Sequence, residues 1–183
     1  MIITFVRHAE VEEAYIGKYN GHRDISLSKK GELQAIKLAK KLQNESFDTI
    51  YCSDLLRARQ TLAPLKHSLE VIYTKALREK SWGIHEGKSF QEIQDSGIYY
   101  ENFQQWITAL DGEDINTYKN NVKSFFTNIV LQEEVNSILI VTHSGLIKTF
   151  LSIMQNTPLE VAFNITLKYT DIVKFDVNNT KIL

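Results

Sequence analysis

The sequence is poor in the features that mark several large classes of protein. Its 183 residues include one cysteine, Cys52, and two prolines, Pro64 and Pro158. A single cysteine excludes an intramolecular disulfide and fits a reducing compartment. No apolar run approaches the roughly 20 residues of a membrane-spanning helix, and Arg7 and His8 interrupt the N-terminal apolar stretch too early for a signal peptide. We therefore expect a cytoplasmic protein with no membrane partner.

The sequence also lacks an excess of charge of either sign. Lys and Arg number 21 against 22 Asp and Glu, which gives a formal net charge of −1. This balance excludes a chain-wide basic surface, so we expect no nucleic-acid partner. Arginine itself is scarce, and the five arginines are Arg7, Arg23, Arg57, Arg59 and Arg78. In a lysine-rich chain each of them is a candidate for phosphate or carboxylate binding, because the planar guanidinium group donates two parallel hydrogen bonds.

Strands and helices are predicted to alternate along most of the chain. Short β-branched or aromatic runs predict strands at Ile2 to Val6, Thr49 to Cys52, Val71 to Tyr73, Ser137 to Thr142, Ile165 to Tyr169 and Ile172 to Val177. Apolar residues at helical spacing predict helices in four regions. One helix is capped by Ser28, one runs from Leu55 to Leu69 and one from Leu146 to Met154. The fourth region, Phe90 to Val130, contains helices with a break at Asp111 and Gly112. This order predicts an α/β three-layer sandwich with a mostly parallel central sheet flanked by helices. No linker or repeat interrupts it, so we expect a single domain over residues 1–183.

Three polar clusters follow predicted strands directly. They are Arg7-His8-Ala9-Glu10, Ser53-Asp54-Leu55-Leu56-Arg57 and His143-Ser144-Gly145. Because open α/β sheets bind ligands at the carboxyl ends of their strands, we expect these clusters to share one crevice. Two guanidinium groups can hold a phosphoryl group while one histidine attacks phosphorus and the other stabilises the developing charge. The histidines have neither cysteine partners nor i, i+4 spacing, so we expect no metal site and no cofactor.

The same clusters resemble motifs of the histidine phosphatase superfamily, the phosphoglycerate-mutase-like proteins. Five matching blocks occur in order over most of the chain: Arg7 to Glu10; Gly21, Asp24, Leu27, Ser28, Gly31, Gln34 and Ala35; Ser53 to Thr61; Leu77-Arg78-Glu79 with Gly83, Glu86 and Gly87; and Val141 to Gly145. Each block is weak by itself, but their joint occurrence in this order is specific. The fold that this resemblance implies agrees with the α/β sandwich expected from the pattern of strands and helices.

The resemblance implies a role for five residues. His8 would be the nucleophile that becomes phosphorylated, and Glu79 would protonate the leaving oxygen and then activate water. Arg7, Arg57 and His143 would bind the phosphoryl oxygens. Elementary electrostatics supports the first role independently, because a nucleophilic imidazole must be neutral and nearby guanidinium groups disfavour its cationic form.

The substrate-binding residues are less completely specified by the motifs. Many relatives carry an asparagine where this chain has Ala14, so one phosphate hydrogen bond is missing or comes from elsewhere, with Asn20 as the candidate. We expect Asn20, Gly21, Arg23 and His85 to contact the substrate. For Arg23, as for the remaining arginines, pairing with a carboxylate is the alternative.

Two function classes remain open. One is a phosphomonoesterase acting on a small phosphorylated metabolite; the segment Phe103 to Phe126 resembles small phosphatases such as α-ribazole phosphatase, which makes α-ribazole 5′-phosphate a candidate. The other is a regulatory protein phosphohistidine phosphatase, or a protein that only binds phosphorylated ligands. A pure binder would not need the acid Glu79, which favours the enzyme. The short stretch between Glu79 and His143 lacks the long insertion of the phosphoglycerate mutases, which argues against mutase activity.

Overall fold

A mixed sheet of six strands forms the centre of the molecule. The computed structural model describes residues 1–183. In chain order the strands are β1 (Ile2–Arg7), β2 (Thr49–Ser53), β3 (Val71–Thr74), β4 (Ser137–Thr142), β5 (Ile172–Asp176) and β6 (Lys181–Ile182). In space their order is β3-β2-β4-β1-β5-β6. The first four strands are parallel to one another, whereas β5 runs antiparallel to β1 and β6 antiparallel to β5. The prediction of a mostly parallel sheet is confirmed.

Seven α-helices accompany the sheet. They are α1 (Lys29–Leu42), α2 (Leu56–Leu62), α3 (Phe90–Asp95), α4 (Phe103–Ala109), α5 (Ile115–Asn128), α6 (Ser144–Met154) and α7 (Leu159–Phe163). The predicted cap of α1 is present, since the Ser28 side chain accepts a hydrogen bond from the Gly31 amide. No helix combines the length and the apolar composition that crossing a bilayer requires.

Apolar side chains alternate across the sheet, so that both of its faces are buried. On β1, the Phe5 ring packs against Phe126 of α5 and Phe150 of α6, at centroid distances of 5.9 and 4.7 Å. The next residue, Val6, belongs to the core on the opposite face, together with Leu38 of α1. This period of two is that of a strand between two layers of helices. The three-layer sandwich expected from the sequence is thus observed.

Two predicted elements differ from the structure. The strand predicted at Ile165 to Tyr169 is wrong: this segment is a loop, because its polar groups bond within a turn and to a side chain rather than to a neighbouring strand. The Lys168 amide donates to the Asp171 carboxylate, and the Leu167 carbonyl accepts from Arg7. Helix α2 also ends at Leu62 rather than at Leu69. Pro64 has no amide hydrogen with which to continue the helix.

The strand order brings the three polar clusters to one edge of the sheet. β1 and β4 are adjacent, and Arg7 lies opposite Thr142 in their register. The His8 amide donates to the Thr142 carbonyl at 2.9 Å, which continues the pairing by one residue. β2 pairs with the other side of β4, so its last residue, Ser53, lies near the end of β4 as well. The carboxyl ends of three parallel strands therefore meet where the sequence places its candidate residues.

Helix α1 fixes the backbone that follows β1. The Glu10 amide donates to the Gln34 side chain at 2.9 Å, and the Glu10 carbonyl accepts from the Ser28 amide at 3.0 Å. Gly31 allows this approach, because a Cβ at that position would lie 2.0 Å from the Glu10 carbonyl oxygen. The start of α1 therefore holds the segment that carries His8.

We predict that Gly31→Ala lowers the free energy of unfolding by about 1–3 kcal/mol, the usual cost of overpacking, although alanine is the better helix former. Urea unfolding measures this change. Lys37→Ala, at an exposed position of the same helix, is the control and should change stability by less than about 0.5 kcal/mol. A Gly31→Ala midpoint equal to that of the wild type would contradict the close contact.

Candidate active site

Two histidines lie side by side at the carboxyl edge of the sheet. His8 follows β1 and His143 follows β4, and their ring centroids are 5.1 Å apart. Both side chains are buried, with His143 completely removed from solvent. Sequence motifs separated by most of the chain thus meet in one site, as predicted.

The hydrogen bonding of His8 determines which of its nitrogen atoms is free. Nδ1 lies 2.8 Å from the Ala9 carbonyl oxygen, which can only accept a hydrogen bond. Nδ1 therefore carries the proton, and the lone pair of the neutral ring is on Nε2. His8 also belongs to the lining of a cavity at this edge, so this lone pair is a candidate for attack on a bound group.

The surroundings of the two histidines favour their neutral forms. Burial lowers the pKa of His8 well below its usual value, and the cations Arg57 and Arg7 lower it further. Burial and then Arg57 act in the same direction on the pKa of His143. Both effects penalise a charged imidazole, so each ring is a base or hydrogen-bonding group rather than a cation.

Arg57 supplies a buried positive charge. It is in the first turn of α2, and its side chain is almost fully buried. Nη1 donates to the Arg23 carbonyl at 2.7 Å, and Nη2 donates to the Gly21 carbonyl at 2.8 Å. Burial lowers the pKa of Arg57 to about 10, so the group remains cationic at neutral pH. Two backbone carbonyls hold the fork, and no carboxylate lies within 4.0 Å to neutralise its charge.

Arg7 is held by the loop between α7 and β5. Its Nη1 donates to the Leu167 carbonyl, and its guanidinium carbon lies 4.3 Å from the centre of the Tyr169 ring. Burial lowers the pKa of Arg7, while Tyr169 and Glu79 oppose that effect. The sequence predicts a strand here and gives no sign of a support for Arg7. Tyr169 is therefore a site residue that the sequence analysis missed.

Ser53 positions the second histidine. The Ser53 hydroxyl lies 2.8 Å from Nε2 of His143, and both groups are buried. Nδ1 of His143 has no protein partner. Ser53 ends β2, next to β4, so strand pairing alone brings it to the ring.

Glu79 lies at the start of α6. One carboxylate oxygen accepts from the Gly145 amide at 2.9 Å, and the other accepts from the Lys80 amide at 3.2 Å. A helix N-terminus is a favourable place for a carboxylate, because unpaired amide groups and the helix dipole point at it. The approach requires glycine, since a Cβ on Gly145 would lie 2.1 Å from Oε1 of Glu79. Glu79 thereby belongs to the lining of the cavity, as His8 does.

A cavity of about 460 Å³ is lined by His8, Arg7, Arg57 and Glu79, whereas the fully buried His143 is not part of its lining. Its cationic side chains are Arg7, Arg57, Lys18 and Lys148, and Glu79 is its only carboxylate. Aromatic side chains form much of the remaining wall: Tyr19, Trp82, Trp106, Phe163 and Tyr169. The ring centroids of Tyr19 and Trp82 are 5.0 Å apart, and those of Trp82 and Trp106 are 5.5 Å apart. The surface of the cavity is therefore cationic in one part and aromatic in another.

Of the four expected substrate contacts, two line the cavity and two do not. Asn20 and Gly21 belong to the lining, and Asn20 donates through Nδ2 to the Tyr15 carbonyl at 2.9 Å. The Arg23 side chain is exposed and donates to the Glu86 carbonyl, while its own carbonyl accepts from Arg57. His85, expected near the rim, is buried outside the lining.

The remaining arginines also take structural partners. Arg78 forms two parallel hydrogen bonds with the Asp54 carboxylate, at 2.7 and 2.6 Å. The guanidinium of Arg59 lies 5.4 Å from the centre of the Tyr73 ring. Of the five arginines, only Arg7 and Arg57 line the cavity. No group of three His, Cys, Asp or Glu side chains is placed to hold a metal ion.

Comparison with known proteins agrees with this geometry. The family model of the histidine phosphatase superfamily (branch 1) matches residues 3–182. Phosphoserine phosphatase 1 of Hydrogenobacter thermophilus is 31% identical over 150 residues, which cover 78% of this chain and 70% of that protein. The adenosylcobalamin/α-ribazole phosphatase of Escherichia coli is 25% identical over 186 residues, covering 97% and 91%. The solved structure of the α-ribazole phosphatase from Shigella flexneri superimposes with a TM-score of 0.84 at 25% identity. The match covers 100% of this chain and 93% of the Shigella chain.

We predict that both His8 and His143 remain neutral at pH 6, with the proton of His8 on Nδ1. Nitrogen-15 NMR of the imidazole rings reports both properties. Because the unfolded histidines take up protons near pH 6.5 and the buried rings do not, the free energy of unfolding should fall as the pH decreases below about 6.5. Replacing either histidine by glutamine should reduce that fall. An imidazolium signal from either ring at pH 6 would contradict the assignment.

Proposed function

Because the chain belongs to the histidine phosphatase superfamily and is a phosphatase of that type, we propose that it hydrolyses small phosphomonoesters through a phosphohistidine at His8, without a metal ion. The observation that carries this proposal is the neutral His8 ring, with its Nε2 lone pair free, beside the buried guanidinium groups of Arg7 and Arg57. The charge that holds the phosphoryl group comes from these side chains. One carboxylate in the lining is too few for a magnesium site of the usual oxygen-rich kind.

In the first proposed step, Nε2 of His8 attacks phosphorus and the bond from phosphorus to the ester oxygen breaks. The dianionic phosphoryl group is nearly neutralised by Arg7 and Arg57, and His143 donates a hydrogen bond to an oxygen that gains charge. The leaving oxygen would be a strong base as an alkoxide, so Glu79 gives it a proton. The products of this step are the free alcohol and a phosphorylated His8.

In the second step, water attacks the phosphorylated histidine. Glu79, now a carboxylate, accepts a proton from that water as the new oxygen–phosphorus bond forms. The bond between phosphorus and Nε2 breaks, which returns a neutral His8 and releases inorganic phosphate. Glu79 ends the cycle protonated, so the two steps together consume only the ester and one water molecule.

The proposed roles of the surrounding residues follow from their contacts. Ser53 holds Nε2 of His143, which leaves Nδ1 as the nitrogen without a protein partner. Ala14 is exposed and has no group to bind phosphate. Asn20 lies in the cavity wall and can take over that hydrogen bond, since its amide nitrogen carries a second proton beyond the one given to Tyr15.

The cavity favours a metabolite over a protein segment as substrate. About 460 Å³ suits a small molecule, and aromatic rings close one side of it. Relatives named as α-ribazole phosphatases keep α-ribazole 5′-phosphate as a candidate, and a relative named phosphoserine phosphatase adds phosphoserine. The short connection between Glu79 and His143 still argues against a mutase. We expect a single catalytic domain over residues 1–183 to carry this activity.

The direct test is release of inorganic phosphate from a panel of phosphorylated metabolites, with and without EDTA. We expect turnover that EDTA does not reduce, and a phosphoenzyme that is stable in base but labile in acid, as a phosphoramidate is. His8→Ala should abolish both turnover and labelling. Activity that EDTA removes and a divalent cation restores would overturn the metal-independent mechanism.

The role proposed for Glu79 predicts a dependence on the leaving group. Glu79→Gln should slow hydrolysis of an alkyl phosphate by roughly 10²–10⁴-fold, the usual effect of losing an acid–base group. Phosphorylation of His8 by nitrophenyl phosphate should suffer much less, because nitrophenolate leaves without a proton. Breakdown of the phosphoenzyme should also slow, so a burst of nitrophenol should precede the steady state.

Pre-steady-state time courses of wild type and variant on both substrates measure this difference. Equal slowing on both substrates, with no burst, would show that Glu79 only holds the start of α6. Glu133→Gln is a suitable control, because that carboxylate binds Thr49 and Tyr51 away from the cavity.

A further inference from the structure

Two cations of the cavity, Lys18 and Lys148, have no role in the proposed reaction. Lys148 is on α6, is half-buried and belongs to the cavity lining. Its ammonium group donates to the Phe163 carbonyl at 3.1 Å and lies 5.5 Å from the centre of the Phe163 ring. An ammonium group has three protons to donate, and Phe163 is the only protein acceptor. Lys148 therefore retains donors for a ligand.

No carboxylate lies within 4.0 Å of this charge, and Glu79, which raises the pKa of Lys148, acts from a greater distance. None of the ion pairs in the molecule includes Lys148, whereas the other lysine of the cavity, Lys18, lies 3.6 Å from Glu92. Burial also lowers the pKa of Lys148. A partly desolvated cation without a close ion-pair partner is costly, and an anionic ligand would offset that cost.

The position of Lys148 on α6 relates it to the proposed acid. Gly145, three residues earlier, donates to Glu79, the proposed acid at the leaving oxygen. Residues three apart occupy one face of a helix, and one turn rises about 5.4 Å. Lys148 and Glu79 line the same cavity, so a group bound to the ammonium would belong to the part of the substrate beyond the leaving oxygen.

We propose that Lys148 is a specificity-determining residue that binds a second anionic group of the substrate, a carboxylate or a second phosphoryl group a few bonds from the scissile ester. This inference rests on the proposed function. It selects a substrate class, because an ester whose remaining part is neutral would leave the Lys148 charge uncompensated. The aromatic wall strengthens the contact by excluding water from it.

Two matched pairs of substrates test the inference. 3-Phosphoglycerate and glycerol 3-phosphate differ by a carboxylate in place of a hydroxymethyl group. Propane-1,3-diol bisphosphate and 3-hydroxypropyl phosphate differ by a second phosphoryl group, so the pairs distinguish the two kinds of anion. We expect wild-type kcat/KM to favour the doubly anionic member of at least one pair by roughly 10-fold or more.

Lys148→Met keeps the apolar stem and removes the charge. It should lower kcat/KM on the favoured anionic substrate by roughly 10–100-fold, mainly through KM, and change the neutral partner by less than about 3-fold. Lys148→Arg should restore much of the preference. Lys123→Met, an exposed position on α5, is the control and should leave both values unchanged. Equal losses on both members of each pair would show a structural role and overturn the inference.

Binding measurements distinguish a wrong assignment of Lys148 from a wrong proposed function. Calorimetric titration of His8→Ala, with and without Lys148→Met, measures affinity for both members of each pair without turnover. Preferential binding that depends on Lys148, in a wild type that hydrolyses no ester, would refute the proposed function and support the anion site. Turnover through His8 with no preference in kcat/KM or affinity would refute the anion site alone.

Discussion

The parallel pairing of β1 with β4 is the constraint on which the site depends. Its register sets Arg7 opposite Thr142, and each of these strand ends is followed directly by a histidine. A slip of one residue would turn the side chains of β1 to the opposite face of the sheet, because strand side chains alternate. The two rings, 5.1 Å apart, would then no longer lie side by side. The buried cores on both faces hold this register, so the interior of the protein fixes the geometry of its chemistry.

The site concentrates positive charge that the protein itself does not neutralise. Arg57 is buried against the carbonyls of Gly21 and Arg23, and Arg7 is held by the Leu167 carbonyl. Carbonyl oxygens orient a guanidinium group without cancelling its charge, which remains available to a phosphoryl group. Burial and then the same charge lower the pKa of His8, which keeps the ring neutral and therefore nucleophilic. One electrostatic arrangement thus serves both the binding and the attack that we propose.

Helix α6 contributes to both proposed contacts with the non-phosphate part of the substrate, at the leaving oxygen and at the second anionic group. Its first turn holds Glu79 through the Gly145 amide, and the next turn carries Lys148 into the same cavity. A rigid helix fixes the spacing between the proposed acid and the proposed anion site, so reaction and selection are coupled through one element. Relatives with the same motifs but another residue at the position of Lys148 would then share the chemistry and differ in substrate.

The proposed acid, Glu79, was implied only by the resemblance to the histidine phosphatases. The sequence pattern alone determined the α/β sandwich and the strand ends that bring Arg7, His8, Arg57 and His143 together. It did so because hydrophobic alternation, helix caps and short polar motifs are local signals that tertiary contacts leave unchanged here. Other features were decided only in three dimensions. The segment Ile165 to Tyr169 has the alternation of a strand, yet its backbone and Tyr169 hold Arg7, and Arg23 and His85 point away from the cavity that their sequence neighbours line. Whether a polar side chain reaches a cavity or a carbonyl depends on partners distant in sequence, and local pattern carries no record of those partners.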